Sequence, residues 1–283
     1  MMLSALRDEV LADVKAAAGA YEELLSTADE HLLALCTSLT EMDAALFAQV
    51  ERGSLMTSSE HDELMRAMTE TDAGRVDVAY RISDIPALSA NGLKGKLAVI
   101  ERLLSRRHDD PTPARDALLL SFITDIERIC DAALIGRNCS VSGLVDEDGA
   151  LVAASQACLA LLAQVAEGYA RLEDLTLPPE QLDVLSAALF PTWQKAHEAI
   201  TSLWRMRALS LHTAQAKASV LKQALKMDDG DTYDLRVDLA RSYISDVAWL
   251  LAEADRDCAL AGPTGHWWNS LTSRILRRRV PRQ

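Results

Sequence analysis

The sequence predicts an all-α protein made of two tandem antiparallel helical-bundle repeats, with an extra helix before them and a basic tail after them. Three observations carry that prediction. Twelve glycines and eight prolines in 283 residues are too few for a turn-rich β protein. Good helix formers, chiefly Ala, Leu, Glu and Arg, dominate the composition instead. Apolar residues recur at three- and four-residue steps, and many positions match others 121 residues further on. At that offset Ala87-Leu88-Ser89 meets Ala208-Leu209-Ser210, and Lys96 meets Lys217. Ser121, Ile123 and Asp125 meet Ser242, Ile244 and Asp246, while Arg115 and Leu118 meet Arg236 and Leu239. Asp62, Leu64 and Ala67 meet Asp183, Leu185 and Ala188. A constant offset across helix-forming positions points to a duplicated unit.

Taken in order, residues 1–25 read as a first helix with Leu3, Leu6, Val10, Val14, Ala17, Tyr21 and Leu24 on one face. Thr27 and Glu30 have capping-box spacing and open the next helix. Leu32, Leu35, Leu39, Met42, Leu46 and Val50 form its seam, and Gly53-Ser54 ends it. A third helix runs from Ser58 to about Arg81 through Leu64, Met68 and Val76, and Pro86 excludes its straight continuation. Ser89 is then an N-cap for a helix with a Leu93, Leu97, Ile100 and Leu104 stripe. Asp110-Pro111-Thr112-Pro113 turns the chain into a helix burying Leu119, Phe122, Ile126 and Ile129.

The first repeat therefore spans 26–135. Residues 136–149, rich in Gly, Ser, Asn and Asp, read as a linker, and the second repeat spans 150–256. Its first helix (Leu159, Leu162, Val165, Tyr169, Leu172) matches the Leu32 helix, with Cys158 answering Cys36 if one residue is inserted. Ala214, Ala218, Leu221 and Leu225 repeat the stripe of the Ser89-capped helix, and Ala240, Tyr243, Val247 and Leu250 that of the helix after it. Pro191, standing where the first repeat has Glu70, predicts a kink or break.

The residues around the repeated motif resemble those of a known group. Asp29-Glu30-His31-Leu32-Leu33-Ala34-Leu35-Cys36, Pro86-Ala87-x-Ser89-x-x-Gly92-Leu93-x-Gly95-Lys96 and the stretch Leu118 to Asp125 resemble short, uncharacterised helical proteins from alphaproteobacteria. Those carry one copy of Pro-Ala-Thr-Thr-x-x-Gly-Leu-x-Ala-Lys-Ala before a Ser-Leu-x-x-Asp-Leu helix. The resemblance covers the first repeat, which has Leu97 where the motif ends in alanine. The second repeat has Arg207 for the proline and Thr213-Ala214 for Gly-Leu. What it implies is a helical fold, with no activity attached.

Charge is unevenly divided. The net charge is −13, yet beyond Asp257 the chain holds no acid and five arginines, which leaves −18 on the first 257 residues. Such a body repels phosphate backbones and anionic lipids, so nucleic acid or an anionic membrane could be met only through the tail. Five widely spaced cysteines without a secretory pattern suggest reduced, buried side chains and a cytoplasmic protein. No stretch reaches the ~18 uncharged apolar residues of a membrane span on this reading.

Catalytic and ligand signatures are sparse. None of the six histidines follows a glutamate by three residues, as a di-iron bundle requires, and no Cys-x-x-Cys or His-Glu-x-x-His occurs. No cofactor, metal or small-molecule substrate is therefore expected. Gly92-Leu93-Lys94-Gly95-Lys96 lacks the first glycine and final hydroxyl of a phosphate loop and reads as a helix start. Lys96 and Lys217 read as lysines on a solvated face. Asp125 and Asp246 read as structural anchors, partnering those lysines or a helix start, rather than as a duplicated acidic site.

The tail, 257–283, is the strongest candidate for a binding surface. Trp267, Trp268, Leu271 and Ile275 fall on one helical side, with Arg274, Arg277, Arg278 and Arg279 among and after them. The expected role is a non-catalytic interaction or assembly protein, engaging a protein partner or itself. The alternative is a DNA-associated regulatory protein binding through the arginine tail.

Overall fold

Helices form where the apolar periodicity places them. The computed structural model describes residues 27, 29–53, 58–105, 113–135, 148–173, 178–227 and 233–261. Within them lie eight α-helices and no strand: α1 Glu30–Gly53, α2 Ser58–Asp84, α3 Ala90–Ser105, α4 Pro113–Ile135, α5 Asp148–Leu172, α6 Pro179–Arg205, α7 Leu211–Leu225 and α8 Tyr233–Ala261. The protein is all-α. The expected N-terminal helix (1–25) and most of the tail lie outside the described residues, as does most of the 136–149 linker. The chain divides into two compact units, residues 1–125 and 126–283, with the division inside α4.

In the first unit α1 and α2 form an antiparallel hairpin, and α3 packs against α1. The core takes Leu32, Leu35 and Leu39 from α1, Val78, Ala79 and Ile82 from α2, Leu93, Leu97, Ile100 and Leu104 from α3, and Leu118, Leu119 and Phe122 from α4. Burial is confined to one end of the hairpin: between Asp43 and Arg75 no described residue is buried. Val50, expected on the α1 seam, is 51% exposed. Where burial ends, Arg75 pairs with Asp43 at 3.5 Å, both side chains largely withdrawn from water.

The second unit pairs α5 with α6, sets α7 against α5 and packs α8 against α6 and α7. Leu151, Cys158, Leu162 and Val165 of α5 meet Ala196, Ile200 and Leu203 of α6 in its core, with Leu221 of α7 and Tyr243, Val247 and Leu250 of α8. Between Val165 and Ala196 no described residue is buried. α6 runs without a break through Pro191, so of the expected kink or break the break is absent. A proline removes a single backbone donor, and the helix on both sides of it stays paired.

α1 starts at Glu30, with the Asp29 carbonyl accepting the first helical hydrogen bond from Leu33 N at 2.8 Å. One smaller expectation changes. Among the described residues α5, from Gly149 to Leu172, is long and apolar enough to cross a membrane by length and composition alone, contrary to the reading that none is. Its Leu151, Cys158, Leu162 and Val165 instead lie in the core of the second unit.

Candidate functional site

The connection from α2 to α3 reverses the chain within five residues and leaves backbone groups in need of partners. Pro86 has no N–H to satisfy. Ala87 N donates to Asp125 Oδ2 at 3.0 Å. Leu88 N and Ser89 N donate to the Asp29 carboxylate, the latter at 2.7 Å. Ser89 caps α3 as expected, its hydroxyl accepting from Gly92 N at 3.2 Å. Every donor from Ala87 to Ser89 is thus held by a buried carboxylate.

Lys96 and Asp125 complete the arrangement. Lys96 Nζ lies 2.7 Å from Asp125 Oδ2 and 2.7 Å from Ser121 Oγ. Ser121 donates in turn to Ser83 O, in the last turn of α2, at 2.6 Å. Lys96 is fully buried and Asp125 is 1% exposed. The expectation that Lys96 and Lys217 face solvent is therefore wrong. Lys96 follows Leu93 by three and precedes Ile100 by four, so the apolar stripe itself carries the lysine inward. Asp125 is the structural anchor expected of it.

The second unit holds the same geometry 121 positions later. Lys217 Nζ lies 2.5 Å from Asp246 Oδ2 and 2.9 Å from Ser242 Oγ. Ser242 donates to Trp204 O at 2.6 Å, and Ala208 N donates to Asp246 Oδ2 at 3.0 Å. Lys217 also donates to Met206 O at 2.6 Å. Burial lowers the Lys217 pKa from 10.5, while the hydrogen bond to Asp246 and its charge oppose the shift. All three ammonium hydrogens of Lys217 have acceptors: Met206 O, Ser242 Oγ and Asp246 Oδ2.

The helix starts of α3 and α7 differ in what takes the N–H of the capping serine. A Cβ on Gly92 would collide with the Asp29 carboxylate, so glycine leaves the room that this carboxylate fills. At the corresponding place α7 carries Thr213, whose hydroxyl accepts from Ser210 N at 3.1 Å while Ser210 Oγ accepts from Thr213 N at 3.2 Å. Both starts have a local serine cap, Ser89 and Ser210; the N–H of the capping serine is then taken by the distant Asp29 carboxylate in α3 and by the Thr213 hydroxyl of a capping box in α7. Gly95 serves packing: its Cβ would sit 2.8 Å from Leu33 and 3.5 Å from Cys36 Sγ, so α3 comes close to α1 there.

Asp29, fully buried, is the residue that sequence reasoning missed. Its only signal was its place in the Asp29-to-Cys36 run, since nothing local shows a partner some 60 residues away. The tail residues Trp267, Trp268, Leu271, Arg274, Ile275, Arg277, Arg278 and Arg279 lie outside the described residues. Among the described residues no group of three or more His, Cys, Asp or Glu side chains could hold a metal ion. Cys36 and Cys158 are buried free thiols, pushed up to about 11 and about 12 chiefly by burial. The chain matches no protein-family model, no curated protein and no solved structure.

Proposed function

We propose that this chain is a non-catalytic interaction or assembly protein built from two copies of one helical unit, and that each copy presents the uncovered half of its hairpin to a second copy of the chain. One observation carries this reading. The hairpin halves in which no described residue is buried expose large apolar side chains: Phe47, Val50 and Met65 on α1 and α2, Val184 and Phe190 on α6. Exposed apolar rows on an otherwise acidic surface suit protein association. The duplication rests on the starts of α2 and α6 and of α3 and α7, and on Lys–Asp–Ser networks, that repeat 121 positions apart. The polar residues of the repeated motif are consumed by its own turn, which favours a structural over a catalytic role. A cytoplasmic location fits the free thiols Cys36 and Cys158.

Light scattering after gel filtration, run over a hundredfold concentration range, tests the reading. The wild-type chain should gain mass with concentration, and F47E/V50E or V184E/F190E should not. A wild-type mass that stays monomeric throughout, or one that both variants leave unchanged, sinks it. The alternative is DNA association through the tail, favoured by the absence of acids after Asp257. Salt-sensitive retention on heparin, abolished by deleting residues 263–283, would support that alternative.

A further inference from the structure

Beside the Lys217 network the second unit opens a groove of about 550 Å³, walled by the end of α6, the connector after it and α8. Trp204 and Arg205 stand on one side, Met206 and Arg207 follow, and Asp238, Arg241, Ser242, Ser245 and Asp246 come from α8. The acids in this wall are already engaged. Asp246 accepts from Lys217 and from Ala208 N, and Asp238 lies 3.4 Å from Arg241. Two carbonyls at and just after the end of α6, which would repel an anion, are occupied as well: Trp204 O accepts from Ser242 and Met206 O from Lys217.

Arg205 and Arg207 are left as surplus positive charge. Both are exposed, and neither makes an ion pair among the described residues. Each guanidinium is instead steadied against an indole: Arg205 at 5.4 Å from the centre of Trp204, Arg207 at 4.5 Å from the centre of Trp249. The exposed Ser245 hydroxyl adds a further donor to the rim.

Comparison of the two units shows that the buried network does not require this rim. The first unit keeps Lys96, Ser121 and Asp125, yet at the positions of Arg205, Arg207 and Arg241 it has Asp84, Pro86 and Leu120. The chain carries −13 overall and still gathers three arginines around one groove. We propose that this groove binds a phosphomonoester dianion. Two guanidinium forks and a hydroxyl offer more donors than one carboxylate would use and match the three terminal oxygens of a phosphate. The groove is large enough to take the organic part of a small phosphate ester as well.

The test uses the full chain at fixed ionic strength, with indole fluorescence and calorimetry as readouts. The probes are inorganic phosphate, ribose 5-phosphate, and phosphatidylcholine vesicles with and without phosphatidic acid. Saturable binding of at least one phosphate probe is expected. R205A/R207A should weaken it by about a hundredfold, roughly tenfold for each guanidinium lost, and R205K/R207K should restore part of it. R81A, which removes an exposed arginine of the first unit, should leave it unchanged. Binding of the soluble probes alone identifies a free phosphate ester, and binding only to vesicles containing phosphatidic acid identifies a lipid headgroup. Because Arg205 and Arg207 are exposed, their variants should melt like the wild-type chain. Absence of saturable binding to every phosphate probe, or equal binding by R205A/R207A, overturns the proposal.

Discussion

The carboxylate of Asp29 occupies the space that any side chain on Gly92 would need. That relationship explains a glycine at the start of a helix, where its flexibility would otherwise be a cost. Threonine can stand at position 213 because the second unit has no such carboxylate to make room for: at the 122-residue offset that aligns Cys36 with Cys158, leucine (Leu151) stands where the first unit has Asp29.

G92T should therefore destabilise the first unit by about 2 kcal/mol or more, through a clash with a buried, hydrogen-bonded charge. Adding D29A should relieve the clash and let the threonine hydroxyl serve Ser89 N as Thr213 serves Ser210. Chemical unfolding of the two single variants and the double variant should give a coupling energy above about 1 kcal/mol. Strict additivity would mean that the two residues do not share the cap.

Loss of one partner from the buried pair should cost more than loss of its charge. K96M strands the Asp125 carboxylate and should destabilise by about 3–5 kcal/mol. D125N added to it restores neutrality while keeping an acceptor for Ala87 N, so the double variant should regain part of the loss. K217M with D246N should repeat this in the second unit. Equal melting temperatures for K96M and wild type would show that the pair contributes nothing.

Alkali should unfold the protein earlier than its lysines alone would suggest. Cys36 and Cys158 are pushed up from 9.0 to about 11 and about 12, so above pH 9 the unfolded chain loses thiol protons that the folded chain keeps. Each thiol then lowers stability with rising pH, by up to about 1.4 kcal/mol per unit, until its folded value is passed. Lys217 acts in the opposite sense: its lowered pKa makes the unfolded chain the better proton binder just below 10.5. Denaturation midpoints from pH 8 to 11 should fall less steeply for C36A/C158A than for wild type. Parallel slopes would refute the assignment.

Arg75 and Asp43 close the first unit's core where the second unit has Ala196 and Val165, both buried. R75A alone should cost about 3 kcal/mol by leaving a buried carboxylate short of a partner, and R75A/D43V should recover most of that. Calorimetric melting of the three proteins decides it; a double variant worse than R75A would show that the apolar pair does not fit.

Much of this protein is fixed by the spacing of its residues. The three- and four-residue recurrence of apolar side chains sets the helices, because burying one face of a helix is what stabilises it in water. Ser89 as a cap and the inward stripes of α3, α4 and α8 were legible for that reason. The uniform offset from Lys96 to Lys217 and from Asp125 to Asp246 was equally plain in one dimension. Only the tertiary structure decided what those residues do. A lysine within an apolar stripe reads as solvated until the carboxylate, hydroxyl and carbonyl that neutralise it are brought in from other helices. Asp29 reaches a turn some 60 residues away, and Arg205 and Arg207 find their indoles and their groove only when α6 ends beside α8. Periodicity specifies which faces are buried, because that is a local property of the chain. Which charge meets which is set by packing between elements distant in sequence, and no local pattern records it.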